Sequence, residues 1–427
     1  MCQVISLAEK GVKVNLVTVS ASIGEQREIG KKTNFECDRA LRRFGIKNLG
    51  LVTSLNEVSS LKEAVKKPDL LIVSVATGGT EKLIRSLIDE VDALTLLYPT
   101  FANNSFASCM EVLGRRKRSN VRLILQKKEK GIERIGFYIN LIGAIKRLGG
   151  STLGVVGSAS PWLMATTEDE ALIRKKLGVK TVKIELSEVV GNSKVFEPEA
   201  EKACKGILDR FDEVVEPKQA DVLDAVRIYL AIKRLMKRKD LDSVTIRCFD
   251  LLQTTKNTAC LALSLLNDEG LVAGCEGDVD SVLTMMVLRC LSNQPSFMAN
   301  LNDLNAEDNT IILTHCTVST LLCRKRVLRS HFESKIGVAI QGELPTQKVT
   351  ICRIGDELKK MTILTGKIVK NLNDPDMCRT QIEVKLDGKV TDLVSKTLGN
   401  HHVLTLGDFT EDLTEFCRLK NIEPLLL

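Results

Sequence analysis

Apolar and polar positions divide the first part of the chain into strands and helices. Residues 12–19 alternate as a half-buried strand does, a polar helical stretch of about 25 residues follows, and 49–52 is apolar again. Residues 70–75 form a nearly continuous apolar run that ends in a glycine turn before a helical segment. This order predicts parallel strands joined by helices. We place the end of this first α/β domain at residue 149.

The order of strand and helix repeats from residue 150 onward. An apolar run at 152–156 is followed by a turn, charged helices and a long amphipathic segment at 218–239, and further strand and helix patterns continue to about residue 291. This pattern predicts a second α/β domain at 150–330.

The pattern changes in the last hundred residues. Short alternating runs at 349–354, 361–368 and 381–385 are separated by turns that contain Gly or Asn-Asp-Pro, which is typical of an antiparallel barrel. The predicted fold class is therefore α/β, with two Rossmann-like α/β domains that contain parallel sheets, followed by a C-terminal antiparallel β-barrel at 331–427.

Composition and charge narrow the classes of function. The 427 residues include 44% hydrophobic and 27% charged residues, values that predict several folded cores. The net charge of +7 is spread along the chain and aromatic residues are only 4%, which argues against nucleic-acid binding. The 13 cysteines form no C-x-x-C pair, so we expect reduced core thiols and a cytoplasmic protein. The first twenty residues contain no signal or spanning segment, so no membrane association is expected.

The most polar junction of the second domain lies between an apolar run and a helix. Three carboxylates, Glu276, Asp278 and Asp280, follow the run directly, where ligands bind in open α/β sheets. Asp278 or Asp280 can equally serve as the N-cap of the helix that begins near Val279. Glu276 precedes any cap position, and a carboxylate buried there needs a metal or a polar partner. Glu276 is therefore the first candidate for a site.

Only four histidines occur in the chain, and three of them lie beside apolar runs. His315 follows a predicted strand, where it is either a core histidine or a ligand. His401 and His402 precede an alternating run, so their side chains should point to opposite faces of a strand and only one can enter a site. Glutamate and histidine with open positions suit a divalent ion such as Mn²⁺ better than a closed thiolate site does.

The first domain offers a glycine turn as a second candidate site. Thr77, Gly78 and Gly79 precede a helix, whose N-terminal N–H groups can bind an anion or a sugar hydroxyl. A plain tight turn explains them equally well, and the Lys-Ser/Thr ending of a P-loop is missing. Asn104 and Ser105 open the next helix, where capping is the alternative interpretation.

Several short segments in one order resemble the superfamily of L-fucose isomerase and L-arabinose isomerase, and more closely its fucose isomerase-like branch. The match extends over nearly the whole chain. Its main segments are A-T-G-G-T-E at 76–81, Y-P at 98–99, C-E-G-D at 275–278, H-C at 315–316 and G-N-H-H at 399–402. The resemblance implies two N-terminal α/β domains, a C-terminal barrel, a homo-oligomer and a Mn²⁺ or similar divalent ion.

The resemblance also implies roles for individual residues. Glu276 resembles the metal-binding catalytic glutamate, His402 or His401 the C-terminal histidine ligand, and His315 a histidine of the arabinose isomerases. The family's second carboxylate falls where this chain has Asn300. An amide oxygen can bind a metal but cannot accept a proton, so Asp303 or Asp278 is expected to replace the missing base.

The expected function is a metal-dependent aldose–ketose isomerase that acts on an open-chain sugar through an enediol. Glu276 is expected to be ligand and acid/base, Asp278 and Asp303 further catalytic residues, and Asn300 a possible ligand. Thr77, Gly78, Gly79, Asn104 and Ser105 are expected to bind substrate. The alternative is a regulatory or sugar-binding relative that has lost turnover.

Overall fold

The computed structural model describes residues 11–61, 63, 67–115, 119–167, 169–193 and 197–427. The chain divides into two compact units, one that ends at Arg147 and one that runs from Leu148 to Leu427. No helix in the described ranges is long and apolar enough to cross a membrane. The predicted division into three domains, with boundaries at 149/150 and 330/331, remains a prediction.

The first unit contains a parallel five-stranded sheet with the strand order β2-β1-β3-β4-β5. The strands are β1 Val14–Val19, β2 Lys47–Val52, β3 Leu70–Val75, β4 Leu94–Pro99 and β5 Val121–Leu123. The described helices are α1 Gln26–Leu41, α2 Leu55–Ser60, α3 Glu81–Asp89, α4 Ser105–Arg115 and α5 Lys128–Gly149, which runs into the second unit. Every residue of β1 and β3 is buried; β3 is almost continuously apolar, as expected for a strand covered on both faces, whereas β1 also buries Asn15 and Thr18.

The second unit begins with a parallel four-stranded sheet of order β10-β9-β6-β7. Its strands are β6 Thr152–Val156, β7 Lys180–Ile184, β9 Ser243–Ile246 and β10 Val272–Cys275. The described helices of this part are α6 Glu170–Leu177, α7 Leu186–Ser193, α8 Glu197–Leu208, α9 Gln219–Lys239, α10 Cys248–Thr255, α11 Cys260–Asp268 and α12 Val279–Ser292.

Six antiparallel strands close into a barrel in the order β15-β18-β11-β12-β17-β16, with β16 pairing again with β15. They are β11 Phe297–Asn305, β12 Thr310–His315, β15 Lys348–Gly355, β16 Lys360–Asn371, β17 Thr380–Leu386 and β18 His401–Leu406. The predicted fold class is confirmed, and the barrel strands begin before residue 331.

Smaller elements complete this unit. β19 Glu423–Leu426 pairs in parallel with β16, and β8 Glu213–Val214, β13 Lys325–Arg329 and β14 Ala339–Glu343 form a separate three-stranded sheet. The last helices are α13 Val390–Ser395 and α14 Thr410–Lys420, and single 3₁₀ turns lie at Arg42–Phe44 and Thr320–Leu322.

Helix α12 connects the parallel sheet to the barrel. It contacts β9 and β10 on the sheet and β15 and β18 on the barrel, and its first ten residues are all buried. A helix packed on several sides needs apolar residues around its circumference, as the sequence of α12 has. The turn of residues 276–278, between β10 and α12, therefore lies where the carboxyl end of the parallel sheet meets the barrel.

Candidate metal centre

Glu276 lies in the tight turn between β10 and α12. Its φ angle is +62° and that of Gly277 is +72°, so two successive residues occupy the left-handed region. For a glutamate this conformation is uncommon and costs energy, and such residues cluster at functional sites. A Cβ on Gly277 would lie 2.3 Å from the carbonyl oxygen of Ser158, so this position requires glycine.

Two histidines of the barrel face the Glu276 carboxylate. His315 is the last residue of β12, and its Nε2 lies 3.8 Å from Glu276 Oε1. His401 is the first residue of β18, and its Nε2 lies 3.5 Å from the same oxygen. One ligand atom from each of these three residues lies within 4.8 Å of the others. We call this group the metal cluster.

The free atoms of the metal cluster fit a divalent ion. Neither His315 Nε2 nor His401 Nε2 has a hydrogen-bond partner among the described residues, although both rings are buried. Buried polar atoms are normally satisfied, so an orphaned pair facing a carboxylate indicates a group that the chain itself does not supply. Imidazole and carboxylate donors suit borderline divalent ions, and they do not identify which one.

Asp278 contacts His401 at the ring nitrogen that faces away from the metal cluster. Its Oδ2 lies 2.9 Å from His401 Nδ1, and the same oxygen accepts hydrogen bonds from Arg353 and from the Ser281 hydroxyl. Its Oδ1 accepts from the Ser281 N–H, so Asp278 is also the N-cap of α12. A carboxylate on one ring nitrogen directs the other nitrogen toward a metal and fixes the ring.

A second contact fixes His315. Its Nδ1 lies 3.1 Å from the hydroxyl of Thr317, which leaves Nε2 directed at Glu276. Both histidines therefore present Nε2 to the cluster and use Nδ1 for orientation.

The charges of the metal cluster shift its pKa values strongly. Burial raises the pKa of Glu276, but His401 and His315 outweigh burial and bring this pKa down to about 2. Burial lowers the pKa of His401, whereas the Asp278 and Glu276 carboxylates raise it to about 9. Burial and the neighbouring His401 charge lower the pKa of His315 to about 3. Without a metal the two carboxylates therefore favour a protonated His401, and a divalent ion would displace the proton from its Nε2.

Asp280 has the opposite environment to Asp278. It is fully buried, and burial raises its pKa to about 7 against the opposing charge of Arg353. Burial also raises the pKa of Asp278, but the Arg353 guanidinium and His401 bring it well below its ordinary range. The two carboxylates of one turn thus differ because only Asp278 contacts the cation directly.

His402 and Asp303 lie outside the metal cluster, whereas Asn300 is the direct cross-strand neighbour of His401. His402 is turned away from His401 by the alternation of the strand, and its Nδ1 bonds the carbonyl oxygen of Asn400 at 2.9 Å. Asn300 lies opposite His401 in the sheet, and its Oδ1 accepts from the Asn400 amide at 2.6 Å. Asp303 is exposed, and its Oδ1 accepts from the N–H of Leu304.

The structure also groups the predicted substrate-binding residues of the first unit. Thr77 is fully buried, and its hydroxyl oxygen accepts from the N–H of Ala21 at 2.9 Å. The N–H of Gly78 bonds the carbonyl oxygen of Asn103 at 2.6 Å, and Gly79 has a φ of +73°. The hydroxyl of Ser105 lies 3.0 Å from that of Thr100, and Asn104 is exposed. These contacts join the turns that follow β1, β3 and β4.

Two residues of the metal centre are absent from the sequence-based predictions. Arg353 is 1% exposed and binds Asp278, the Ser281 hydroxyl and the His401 carbonyl oxygen. An arginine inside the apolar run 349–354 is the signal that marks it, because a buried charge requires a partner. Trp162 donates from Nε1 to Glu276 Oε2 at 2.7 Å. No local pattern in the sequence marks this contact, which joins residues 114 positions apart.

Comparison with known proteins supports a sugar isomerase. The chain is 25% identical over 308 residues to a sulfoquinovose isomerase of Alkalicoccus urumqiensis, with 68% of each chain covered. It is 26% identical over 311 residues to proteins of the same name from Priestia aryabhattai and Priestia megaterium, again with 68% of each chain covered. No protein-family profile matches the chain. The relatives point to a family of sugar isomerases.

Proposed function

We propose that this protein is a metal-dependent aldose–ketose isomerase of the fucose isomerase-like type, acting on an open-chain sugar through an enediol. The observation that carries the proposal is the metal cluster, in which two orphaned histidine nitrogens and one carboxylate oxygen face each other. The similarity to isomerases of a sulfonated sugar supports the same reaction class. We therefore propose a sulfonated sugar as the first substrate to test.

The ligands of the metal would be Glu276 Oε1, His315 Nε2 and His401 Nε2. A bound divalent ion such as Mn²⁺ would polarise the carbonyl and hydroxyl oxygens of the sugar. Asp278 would keep His401 in the orientation that binds the metal, and Arg353 would keep Asp278 ionised.

Glu276 is also the proposed acid/base. The reaction moves a proton from C2 to C1 of an aldose while the carbonyl moves from C1 to C2, so no external oxidant is needed. Both carboxylate oxygens of Asp278 are engaged in contacts with Arg353, His401 and Ser281. Asp303 is exposed, and Asn300 cannot accept a proton. Of these four side chains, Glu276 is the carboxylate that is directed into the metal cluster, so we propose it for proton transfer.

The test is an incubation with Mn²⁺ and a panel of sugars in deuterated water. Sulfoquinovose and glucose form a matched pair, because they differ only in the sulfonate at C6. We expect ketose formation from the sulfonated sugar, with deuterium incorporated at C2 of the recovered aldose. Turnover without deuterium uptake would contradict the enediol, and turnover of glucose alone would contradict the sulfonated substrate.

A second candidate function is a sugar-binding or regulatory relative without turnover. The engagement of Asn300 by Asn400, in place of a second free carboxylate, favours this alternative. It predicts that Mn²⁺ binds and that a sugar raises the melting temperature, while no sugar of the panel is isomerised.

The resemblance also implies a homo-oligomer, and light scattering would measure its mass.

A further inference from the structure

Trp162 contacts the metal cluster and is at the same time open to solvent. It is the single tryptophan of the chain and lies in the loop that follows β6. Its indole N–H donates to Glu276 Oε2 at 2.7 Å, and its ring meets Phe249 edge to face at 5.2 Å. The side chain is nevertheless 55% exposed. Its exposure leaves part of the ring accessible to a ligand beside the metal cluster.

The loop of Trp162 is fixed to the backbone of the Glu276 turn. The N–H of Ser160 bonds the carbonyl oxygen of Glu276 at 2.8 Å, and the N–H of Leu163 bonds the carbonyl oxygen of Ser160 at 2.9 Å. The same loop packs so closely on Gly277 that no Cβ fits there. The indole is therefore held in place relative to the carboxylate by main-chain contacts as well as by its own N–H.

The contact divides the two oxygens of Glu276 between different partners. Oε2 accepts the indole N–H, while Oε1 is the oxygen near His315 and His401. A carboxylate held by one oxygen presents the other to a metal in a defined direction. The same contact places the partly exposed ring beside the metal cluster, within reach of the apolar C–H face of a bound sugar.

We propose that Trp162 is a positioning residue for Glu276 and that its exposed ring forms the sugar-facing wall of the site. This inference rests on the proposed function. It assigns one polar and one apolar role to a single side chain, as the amphipathic indole allows.

Intrinsic fluorescence tests the placement directly, since all tryptophan emission of the chain comes from Trp162. Adding paramagnetic Mn²⁺ to the metal-free protein should quench this emission with the same midpoint as calorimetric Mn²⁺ binding. A sugar added to the Mn²⁺ form should then shift the emission to shorter wavelength as the ring is covered. Calorimetric Mn²⁺ binding without quenching would overturn the inference, and so would a bound sugar that leaves the emission unchanged.

Two substitutions separate the roles. Trp162→Phe keeps a ring and removes the N–H, so Mn²⁺ binding should weaken by about 10- to 100-fold with a smaller change in the KM of the sugar. Trp162→Ala removes both the ring and the N–H, so the KM of the sugar should be higher than in Trp162→Phe. Phe249→Leu is the matched control, because it alters the packing of the indole while leaving the N–H bond. We expect Mn²⁺ affinity in this control close to that of the wild type.

The outcomes distinguish this inference from the proposed function. A wild-type protein that binds no Mn²⁺ would overturn both. A wild type that binds Mn²⁺ while Trp162→Phe binds it equally well would overturn the positioning role alone. If the KM of the sugar is unchanged in Trp162→Ala, the proposed contact between the indole ring and the sugar is wrong. Thermal unfolding of each variant shows whether a loss reflects misfolding, and a folded Trp162→Phe decides the positioning role even if Trp162→Ala does not fold.

Discussion

The turn at Glu276 and the turn at Thr77 have the same backbone arrangement, but their polar groups differ in hydrogen bonding. Each follows a buried parallel strand, contains a residue with positive φ and leads into a helix. At Thr77 the polar groups bond one another or the neighbouring turns. At Glu276 the nearby His315 and His401 each keep an Nε2 with no hydrogen-bond partner in the described part of the chain. The unsatisfied histidine nitrogens therefore distinguish the Glu276 turn from the Thr77 turn, which has the same local geometry.

The largest expected effect is that of Glu276→Gln. The substitution keeps the shape of the side chain and an oxygen for the indole N–H, but it removes the charge that binds a metal and the base. We expect turnover to fall by about 10³-fold or more, as for the loss of a general base. The measurement is the isomerase assay with circular dichroism as a check of folding.

Asp303→Asn is the matched control for Glu276→Gln, because Asp303 is exposed and outside the metal cluster. Its activity should equal that of the wild type. A large loss in Asp303→Asn would instead support the catalytic role that the sequence suggests for Asp303.

Adjacent histidines provide the next comparison. His401→Gln removes a proposed ligand nitrogen, so Mn²⁺ affinity should fall by more than about 100-fold, the upper end of the effect of outer-shell changes. His402→Gln changes a ring that faces the other side of β18, so Mn²⁺ affinity should change little. Calorimetric titration of both variants measures this difference. Equal losses in the two would show that the structure assigns the wrong histidine.

Asp278→Asn tests the charged contacts of Asp278 with His401 and Arg353. Asparagine is as good an N-cap as aspartate, so the change isolates the loss of charge beside Arg353. Breaking a buried ion pair leaves an uncompensated charge, and we expect the free energy of unfolding to fall by about 3 kcal/mol. Urea unfolding of the metal-free protein measures it.

The pH dependence of the same variant sharpens this prediction. The pKa of Asp278 is lower in the folded protein than its ordinary value of 3.8, so its contribution to stability is present above that value and is lost as the pH falls below it. Asp278→Asn should therefore lose less stability than the wild type on acidification. Parallel pH curves for the two proteins would contradict the ion pair.

The smallest expected effect is that of Thr77→Val in the first unit. The change keeps the shape and leaves the Ala21 N–H without its acceptor, so the free energy of unfolding should fall by about 1–2 kcal/mol. Mn²⁺ affinity should be unchanged. A rise in the KM of the sugar with unchanged stability would support the substrate-binding role that the sequence suggests for this turn.

Strand order along the chain was enough to predict the fold class. The run 70–75 is nearly continuously apolar because β3 is buried on both faces, whereas β17 alternates because Glu383 and Lys385 lie on its more exposed face. The change of pattern did not reveal that β11 and β12 already belong to the barrel, since β11 resembles neither type clearly.

Single residues of the site were also visible in the sequence. Glu276 follows a strand at a position that no cap explains, and His315 ends an apolar run. The sequence left the choice between His401 and His402 open, because alternation gives the two faces of a strand without saying which one faces a site. In the structure it is His401 whose Nε2 lies near Glu276 and His315, and the contact of its Nδ1 with Asp278 spans 123 positions of sequence.

Long-range contacts decided the rest. Asp278 is a helix cap by its local sequence and a partner of Arg353 and His401 only through the approach of α12 to the barrel. Asn300 and Asp303 resemble candidates by position, yet one is engaged by Asn400 and the other faces solvent. Local pattern fixes which face of an element is buried, whereas the meeting of charged groups from distant elements depends on how those elements pack, which no short-range pattern encodes.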